Sequence, residues 1–235
     1  LADMLGRKTS LLAASAATSL AIALMVLFPH DWMLYAMNFV FGVSQSLAGV
    51  TMSPFLMENS SQMERTYLFS FSSGLQMVSA SVGNWIGGYL PAWMAAEIGV
   101  SAVSSQAYGS AMLVTASGAG LALIPLAVMR MGQQVKSERT VFTPIRYAAQ
   151  HPGLLSKLIL PMLVTSIGAG LIMPFMNVFF RQVHHQPDSV IGTLFAWGSL
   201  SMGIGLLIAP PLAERMGKIQ LVVVTQALSI PFLAL

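Results

Sequence analysis

The chain has 235 residues, of which 55% are hydrophobic and only 8% are charged, and its mean hydropathy is +0.73. Ordinary soluble domains contain roughly 25% charged residues, so this composition excludes them and indicates an integral membrane protein. The net charge of +3 does not indicate nucleic-acid binding, because the basic residues lie in short connections between apolar segments and form no patch with interleaved aromatic residues.

Seven apolar segments follow one another along the chain, and a membrane-spanning helix needs about 20 such residues. Each segment is predicted to be a helix, because backbone amides in lipid must be hydrogen-bonded within their own segment. A β-barrel is not predicted, since its short alternating strands are absent. The six complete segments, and a seventh that runs to the last residue, are 10–29, 33–57, 67–90, 108–129, 158–180, 189–211 and 219–235.

The basic residues of the connections predict the orientation of these spans. One set of alternate connections contains ten of the eleven basic residues, and the other contains only Arg181. Basic residues concentrate in cytoplasmic loops, so the first set is predicted to be cytoplasmic, in a multi-pass protein of the plasma (inner) membrane. The longest connection, 130–157, is the most basic and contains a predicted surface helix at 144–150.

One short pattern, Leu-Ala-acid-x-x-Gly-base, occurs at Leu1 and again at Leu212, 211 residues later. Both copies lie in connections predicted to be cytoplasmic, and both lead directly into an apolar segment. Glycine permits a positive φ in a tight turn, and the acid can pair with the base or with a helix N-terminus. We therefore predict a charged latch formed by Asp3, Gly6, Arg7 and Lys8 in the first copy and Glu214, Gly217 and Lys218 in the second.

A repeat at this distance predicts two related halves, not a solenoid, whose period is about 20–50 residues. The predicted halves are 1–129 and 158–235, separated by the cytoplasmic central connection 130–157. If the two motif copies occupy equivalent positions, each half has six helices, and the chain contains the third to the ninth of twelve. The chain is therefore expected to be an internal piece that continues on both sides.

These features together resemble the major facilitator superfamily of secondary transporters. The family signature between its second and third helices reads approximately Gly-x-Leu-Ala-Asp-x-x-Gly-Arg-Arg/Lys, and the segment from Leu1 to Lys8 matches the part that the chain contains. The resemblance implies an all-α membrane fold of two pseudo-symmetric six-helix halves. It also implies alternating access, in which the solute site opens to one side of the membrane at a time. It also implies that Asp3 and Arg7 hold the cytoplasmic side closed. The second copy implies a weaker latch, because Lys218 lacks the guanidinium fork of arginine.

Two further motifs of the family's antiporters are matched incompletely. The Arg-x-x-x-Gly motif of the fourth helix corresponds to Asn38–Gly42, where the arginine is absent, so the resemblance does not imply proton coupling at that position. A coupling ion is left open as a partner. The Gly-Pro-x-x-Gly-Gly motif of the fifth helix reads Gly-Asn-Trp-Ile-Gly-Gly here, and its retained glycines predict a close helix contact. This helix-packing gate is assigned to Gly83, Asn84, Gly87 and Gly88.

No acidic or basic residue lies in the interior of the predicted spans, so the solute is expected to be neutral or lipophilic. Polar residues recur instead at helical spacing along several spans. Amide side chains are costly in contact with lipid, so these faces should point to the transport cavity or to a neighbouring helix, and both alternatives stay open. The candidates for the substrate cavity are Asn38, Gln45, Gln76, Asn177 and Trp197.

The predicted function is secondary transport of a small organic solute across the lipid bilayer, with efflux as the favoured direction. No nucleophile with its base, no paired carboxylates and no phosphate loop are present, so no catalytic residue, enzyme activity or cofactor is predicted. The chain has no cysteine, and His184 and His185 are interpreted as solvated loop residues, so no metal site is predicted. The alternatives are a transporter-like sensor or truncated product, and a seven-span receptor with no transport.

Overall fold

The computed structural model of the chain describes residues 6–58, 60–61, 64–128, 150 and 152–234. The described residues form eight α-helices, and no strand occurs among them. The described residues of all seven predicted apolar segments are helical almost throughout, so the predicted all-α fold is confirmed. In chain order the helices are α1 (Arg7–Leu27), α2 (Asp31–Glu58), α3 (Arg65–Ile98), α4 (Ser105–Leu121), α5 (Leu123–Val128), α6 (Pro152–Gln182), α7 (Asp188–Met216) and α8 (Lys218–Ala234).

The predicted span 108–129 is interrupted near its end. Helix α4 ends at Leu121 and α5 begins at Leu123, with Ala122 in a turn between them. Pro125 accounts for the interruption, because it has no N–H group to donate to the carbonyl of Leu121 four residues earlier. The two helices together are still long and apolar enough to cross a membrane.

Three other helices extend well beyond their predicted spans. Helix α3 continues to Ile98, α6 begins at Pro152, inside the connection predicted at 130–157, and α7 continues to Met216. The extension of α3, residues 91–98, is itself mainly apolar and contains one charged residue, Glu97, so the helix continues past the predicted end without a polar break. The surface helix predicted at 144–150 lies outside the described residues apart from Gln150.

By length and composition, five helices of the described part of the chain are able to cross a membrane. These are α1, α2, α4 with α5, α6 and α7. Helix α3 is not among them, since Gln76, Asn84 and several serines and glycines lower its hydropathy, and the apolar part of α8, Ile219–Pro231, is shorter. Membrane crossing by α3 and α8 therefore stays a prediction.

The chain divides into two compact units, which are not the halves predicted from the repeat. The first unit comprises Leu1–Ser53 and Leu90–Ile191, and the second comprises Pro54–Tyr89 and Gly192–Leu235. Each unit takes segments from both sides of the central connection. The predicted halves 1–129 and 158–235 therefore remain a prediction.

The first unit is built around the antiparallel contact of α1 with α4. Small side chains fill this contact, and two serines of α1 bridge it: Ser19 Oγ donates to the carbonyl of Ala116 at 2.8 Å, and Ser15 Oγ donates to that of Ala119 at 3.3 Å. Small residues let helix backbones approach closely, and hydroxyl groups then hydrogen-bond across the contact. The buried alanines of the two helices are Ala14, Ala21, Ala107, Ala111 and Ala116.

The second unit is built around an antiparallel pair, α3 with α7, whose backbones touch at glycines. A Cβ atom on Gly192 would lie 2.6 Å from the carbonyl oxygen of Asn84 and 2.6 Å from the Cα of Gly88. Further along, a Cβ on Gly203 would lie 3.1 Å from the carbonyl oxygen of Gly74. No side chain fits at the first of these positions without moving a backbone, so glycine sets the distance between the two helices.

This contact predicts that α7 responds differently to valine at two nearby glycines. Gly203→Val should reduce the free energy of unfolding by about 1–3 kcal/mol, because the added carbons overpack the contact with α3. Gly205→Val is the matched control, since a Cβ there meets no atom within 4 Å. The measurement is the thermal midpoint of the purified protein in detergent, followed by tryptophan fluorescence. Equal midpoints for the two variants would contradict the contact.

Candidate functional site

The two motif glycines adopt the same unusual backbone conformation. Gly6 has φ 84° and ψ 148°, and Gly217 has φ 88°. Side chains other than hydrogen are strongly disfavoured at such φ values, which is the physical reason for glycine at both positions. Each glycine immediately precedes a helix, α1 in the first copy and α8 in the second. Asp3 lies outside the described residues, and Arg7 is half-buried in the first turn of α1.

Lys8 of the first motif copy is bound to the end of another helix. Its Nζ donates to the carbonyl of Ala127 at 2.6 Å, in the last turn of α5. Carbonyl groups at a helix C-terminus have no partner within the helix and carry partial negative charge, so an ammonium group is favoured there. The motif is thereby attached to the last described helix before the central connection. No pattern in the sequence indicated this partner.

Glu214 of the second motif copy pairs with a tyrosine. Its Oε1 accepts a hydrogen bond from the hydroxyl of Tyr67 at 2.7 Å. Tyr67 lies in the first turn of α3 and Glu214 in the last turn of α7, so the bond joins these two helices at one end of their contact. Sequence reasoning missed Tyr67. Nothing is described of the Lys218 side chain.

Only part of the predicted helix-packing gate lies at the contact with α7. Asn84 Nδ2 donates to Ser199 Oγ at 3.1 Å and to the carbonyl of Phe195 at 3.4 Å, and the backbone of Gly88 approaches Gly192. The other two assigned residues are exposed, and a Cβ on either would meet nothing within 4 Å in the described part of the chain; they are Gly83 and Gly87.

One candidate for the solute cavity, Asn38, lines a cavity of about 1040 Å³ in the first unit, between α1, α2 and α4. Its Nδ2 donates to the carbonyl of Leu34 at 2.8 Å and contacts Met25 Sδ at 3.5 Å. The rest of the lining is mainly apolar and includes Phe41 and Met112. No aspartate, glutamate, lysine or arginine is among these lining residues.

The four other cavity candidates do not line this space. They are exposed on four different helices, α2, α3, α6 and α7; they are Gln45, Gln76, Asn177 and Trp197. A smaller cavity of about 470 Å³ lies in the second unit beside Tyr67 and is lined by Glu64, Phe71 and Leu207 among others.

Three residues, here named the Tyr108 cluster, join α4, α6 and α7. Arg181 Nη2 donates to the hydroxyl of Tyr108 and, at 3.3 Å, to Asp188 Oδ2, and the same hydroxyl donates to Asp188 Oδ2. The guanidinium carbon of Arg181 also lies 5.1 Å from the centre of the Tyr108 ring, within the range of a cation–π contact. In the sequence, Arg181 stands out only as the lone basic residue of its set of connections. Nothing in the sequence pattern indicated its partners.

The sequence model of the Major Facilitator Superfamily matches residues 1–235, which is the whole chain. The chain belongs to this superfamily. No curated protein and no solved structure matches the chain. As a member of the Major Facilitator Superfamily, it is a multi-pass integral membrane protein with an all-α fold that transports small solutes across a lipid bilayer. The resemblance drawn from the sequence is confirmed, and the match does not favour a seven-span receptor.

The backbone conformation at Gly6 predicts that alanine and asparagine both destabilise the protein at this position. Gly6→Ala and Gly6→Asn should both reduce the free energy of unfolding by about 1–3 kcal/mol, because the combination of φ and ψ at Gly6 is close to a region that essentially only glycine occupies. The control is Gly42→Ala inside α2, which should stabilise by roughly 0.5–1 kcal/mol through helix propensity. Thermal midpoints in detergent provide the comparison. If Gly6→Asn were as stable as the parent protein, the assigned conformation would be wrong.

Proposed function

We propose that this transporter carries a neutral or lipophilic organic solute by alternating access. The observation that carries the proposal is the cavity of about 1040 Å³ beside Asn38, whose described lining is mainly apolar and contains no aspartate, glutamate, lysine or arginine. Small-molecule sites commonly have volumes of about 300–1,000 Å³ and combine apolar walls with a few polar groups. A charged solute would lose its hydration in such a cavity without gaining a counter-charge.

The polar groups of the cavity suggest how a neutral solute would be oriented. Asn38 uses its Nδ2 on the backbone of α2, so its Oδ1 is the atom that would accept a hydrogen bond from the solute. Gln106 and Tyr108 add an amide and a hydroxyl group from α4. Met25 and Met112 are flexible and polarisable, which suits apolar solutes of varied shape.

The motif copies supply the proposed cytoplasmic gate. In this proposal Asp3, Gly6, Arg7 and Lys8 act at one position of the gate, and Glu214, Gly217 and Lys218 act at the pseudo-equivalent position. The Lys8 bond to α5 and the Tyr67–Glu214 bond are both exposed to water, which competes for their donors and acceptors, so each bond is weak. Bonds of this strength can break and form again in every transport cycle.

The contact between α3 and α7 is the proposed surface along which the gate moves. Helix α3 belongs to the predicted half 1–129 and α7 to the predicted half 158–235. At Gly192 the two backbones meet with no side chain between them, so this end of the pair can shift with little repacking, while Asn84 supplies a hydrogen bond that limits the shift. Support for this role comes from the short backbone distances at Gly192 and from the position of Glu214 at the end of the same pair.

In the proposed orientation the protein lies in the plasma (inner) membrane, and both motif copies are on the cytoplasmic side. Because the chain has no cysteine, single introduced cysteines report the side of the membrane directly. Thr9→Cys and Arg215→Cys should react with a membrane-impermeant maleimide only after cells are permeabilised, whereas Val103→Cys and His185→Cys should react in intact cells. Labelling of Thr9→Cys and Arg215→Cys from opposite sides would exclude the repeat topology.

The cavity predicts two variants that impair transport of an uncharged probe, 1-acetylpyrene. Cells producing the protein should accumulate less probe than cells without it. Met112→Trp should reduce the efflux rate by narrowing the cavity, and Asn38→Leu should reduce it about fivefold by removing one hydrogen bond. Met202→Trp is the control, since Met202 is exposed and does not line this cavity. Protein abundance in the membrane is matched by immunoblot. Unchanged efflux in Met112→Trp would refute this cavity as the route.

A further inference from the structure

The Tyr108 cluster lies at the ends of two helices where charges are already favoured. Asp188 lies in the first turn of α7, near its partially positive N-terminus, and Arg181 lies in the last turn of α6, near its partially negative C-terminus. The side chains are 24% and 41% exposed, so their direct ion pair is screened by water. The hydroxyl of Tyr108 adds the connection to α4, which belongs to the other predicted half.

Tyr108 has a second environment, because it also lines the cavity of about 1040 Å³. Its single hydroxyl hydrogen is donated to Asp188, and its oxygen accepts from Arg181. A tyrosine hydroxyl has one hydrogen to donate. A solute in the cavity that accepts a hydrogen bond from Tyr108 must therefore take this hydrogen from Asp188.

We infer that Tyr108 is a solute-sensing latch, which opens the Tyr108 cluster when the cavity holds a neutral solute with a hydrogen-bond acceptor such as a carbonyl group. This inference rests on the proposed function, because it assumes that the cavity beside Asn38 holds the solute. It narrows the solute class, since a hydrocarbon of the same shape cannot compete with Asp188. It also gives α7 a tyrosine-bound carboxylate at each end, Asp188 in its first turn and Glu214 in its last.

Substitutions at the two partners of the Tyr108–Asp188 hydrogen bond should have opposite effects on solute binding. Tyr108→Phe removes the hydroxyl and keeps the ring, so a carbonyl solute loses its donor and should bind about fivefold more weakly. Asp188→Asn keeps the size of the side chain but replaces a carboxylate with a weaker acceptor, so the hydroxyl is released more readily and the same solute should bind about fivefold more tightly. The double variant should bind like Tyr108→Phe.

The experiment uses two uncharged probes, pyrene and 1-acetylpyrene, which differ by one acetyl group. Their binding to the full chain in lipid nanodiscs is measured by fluorescence titration, with Met112→Trp as the narrowed-cavity variant and empty nanodiscs as the reference for partition into lipid. Opposite shifts for 1-acetylpyrene in Tyr108→Phe and Asp188→Asn, with pyrene changed less than about twofold, are the expected result. Shifts of the same sign in both variants, or equal shifts for both probes, would show a structural role only and overturn the inference.

The Met112→Trp variant distinguishes a failure of this inference from a failure of the proposed function. If Met112→Trp bound both probes as the parent protein does, the cavity itself would be wrong. Met112→Trp could instead reduce binding of both probes while Tyr108→Phe left the preference for 1-acetylpyrene unchanged. This result would support the cavity as the solute site and refute the sensing role of Tyr108.

Discussion

Backbone hydrogen bonding in lipid is the constraint on which the rest of this structure depends. Amide groups without water must be paired within their own segment, so the described chain is helical almost throughout. Hydrophobic burial gives little drive for one helix to associate with another in lipid, so close backbone approach and interhelical hydrogen bonds take its place. The approach of Gly192 to Gly88 and the bond from Ser19 to Ala116 are the two forms of this attachment.

Charged side chains and apolar cavity walls have separate positions in this protein. The described lining of the cavity beside Asn38 includes no acidic or basic residue, whereas Asp188 and Glu214 lie in the first and last turns of α7. The partially positive N-terminus of α7 favours the Asp188 carboxylate, whereas at the C-terminal end water solvates Glu214, and both carboxylates accept hydrogen bonds from tyrosines of other helices. In the proposed mechanism these interactions can therefore change without exposing a charge to lipid.

The local features of the fold were readable from the sequence because each depends on a short segment. Apolar length identified all seven helical segments, and the repeated glycines identified two turns with positive φ, at Gly6 and Gly217. The break at Ala122 was missed although its cause, Pro125, was visible, because one proline does not by itself decide between a bend and a break. Residues 1–5, including Asp3, lie outside the described part of the chain, so the sequence is the only basis for the role proposed for that residue.

The sequence by itself determined which segments are helices, where the turns need glycine, and that the chain belongs among membrane transporters. Only the tertiary structure decided which polar residues meet. Residues 84 and 88 share one helical stripe, and residues 83 and 87 share another about 100° away. Both stripes are equally suited to packing when read from the sequence, yet only Asn84 and Gly88 contact α7. The side of a helix that is buried is set by the neighbouring helix, and a single segment's periodicity contains no information about where that neighbour lies.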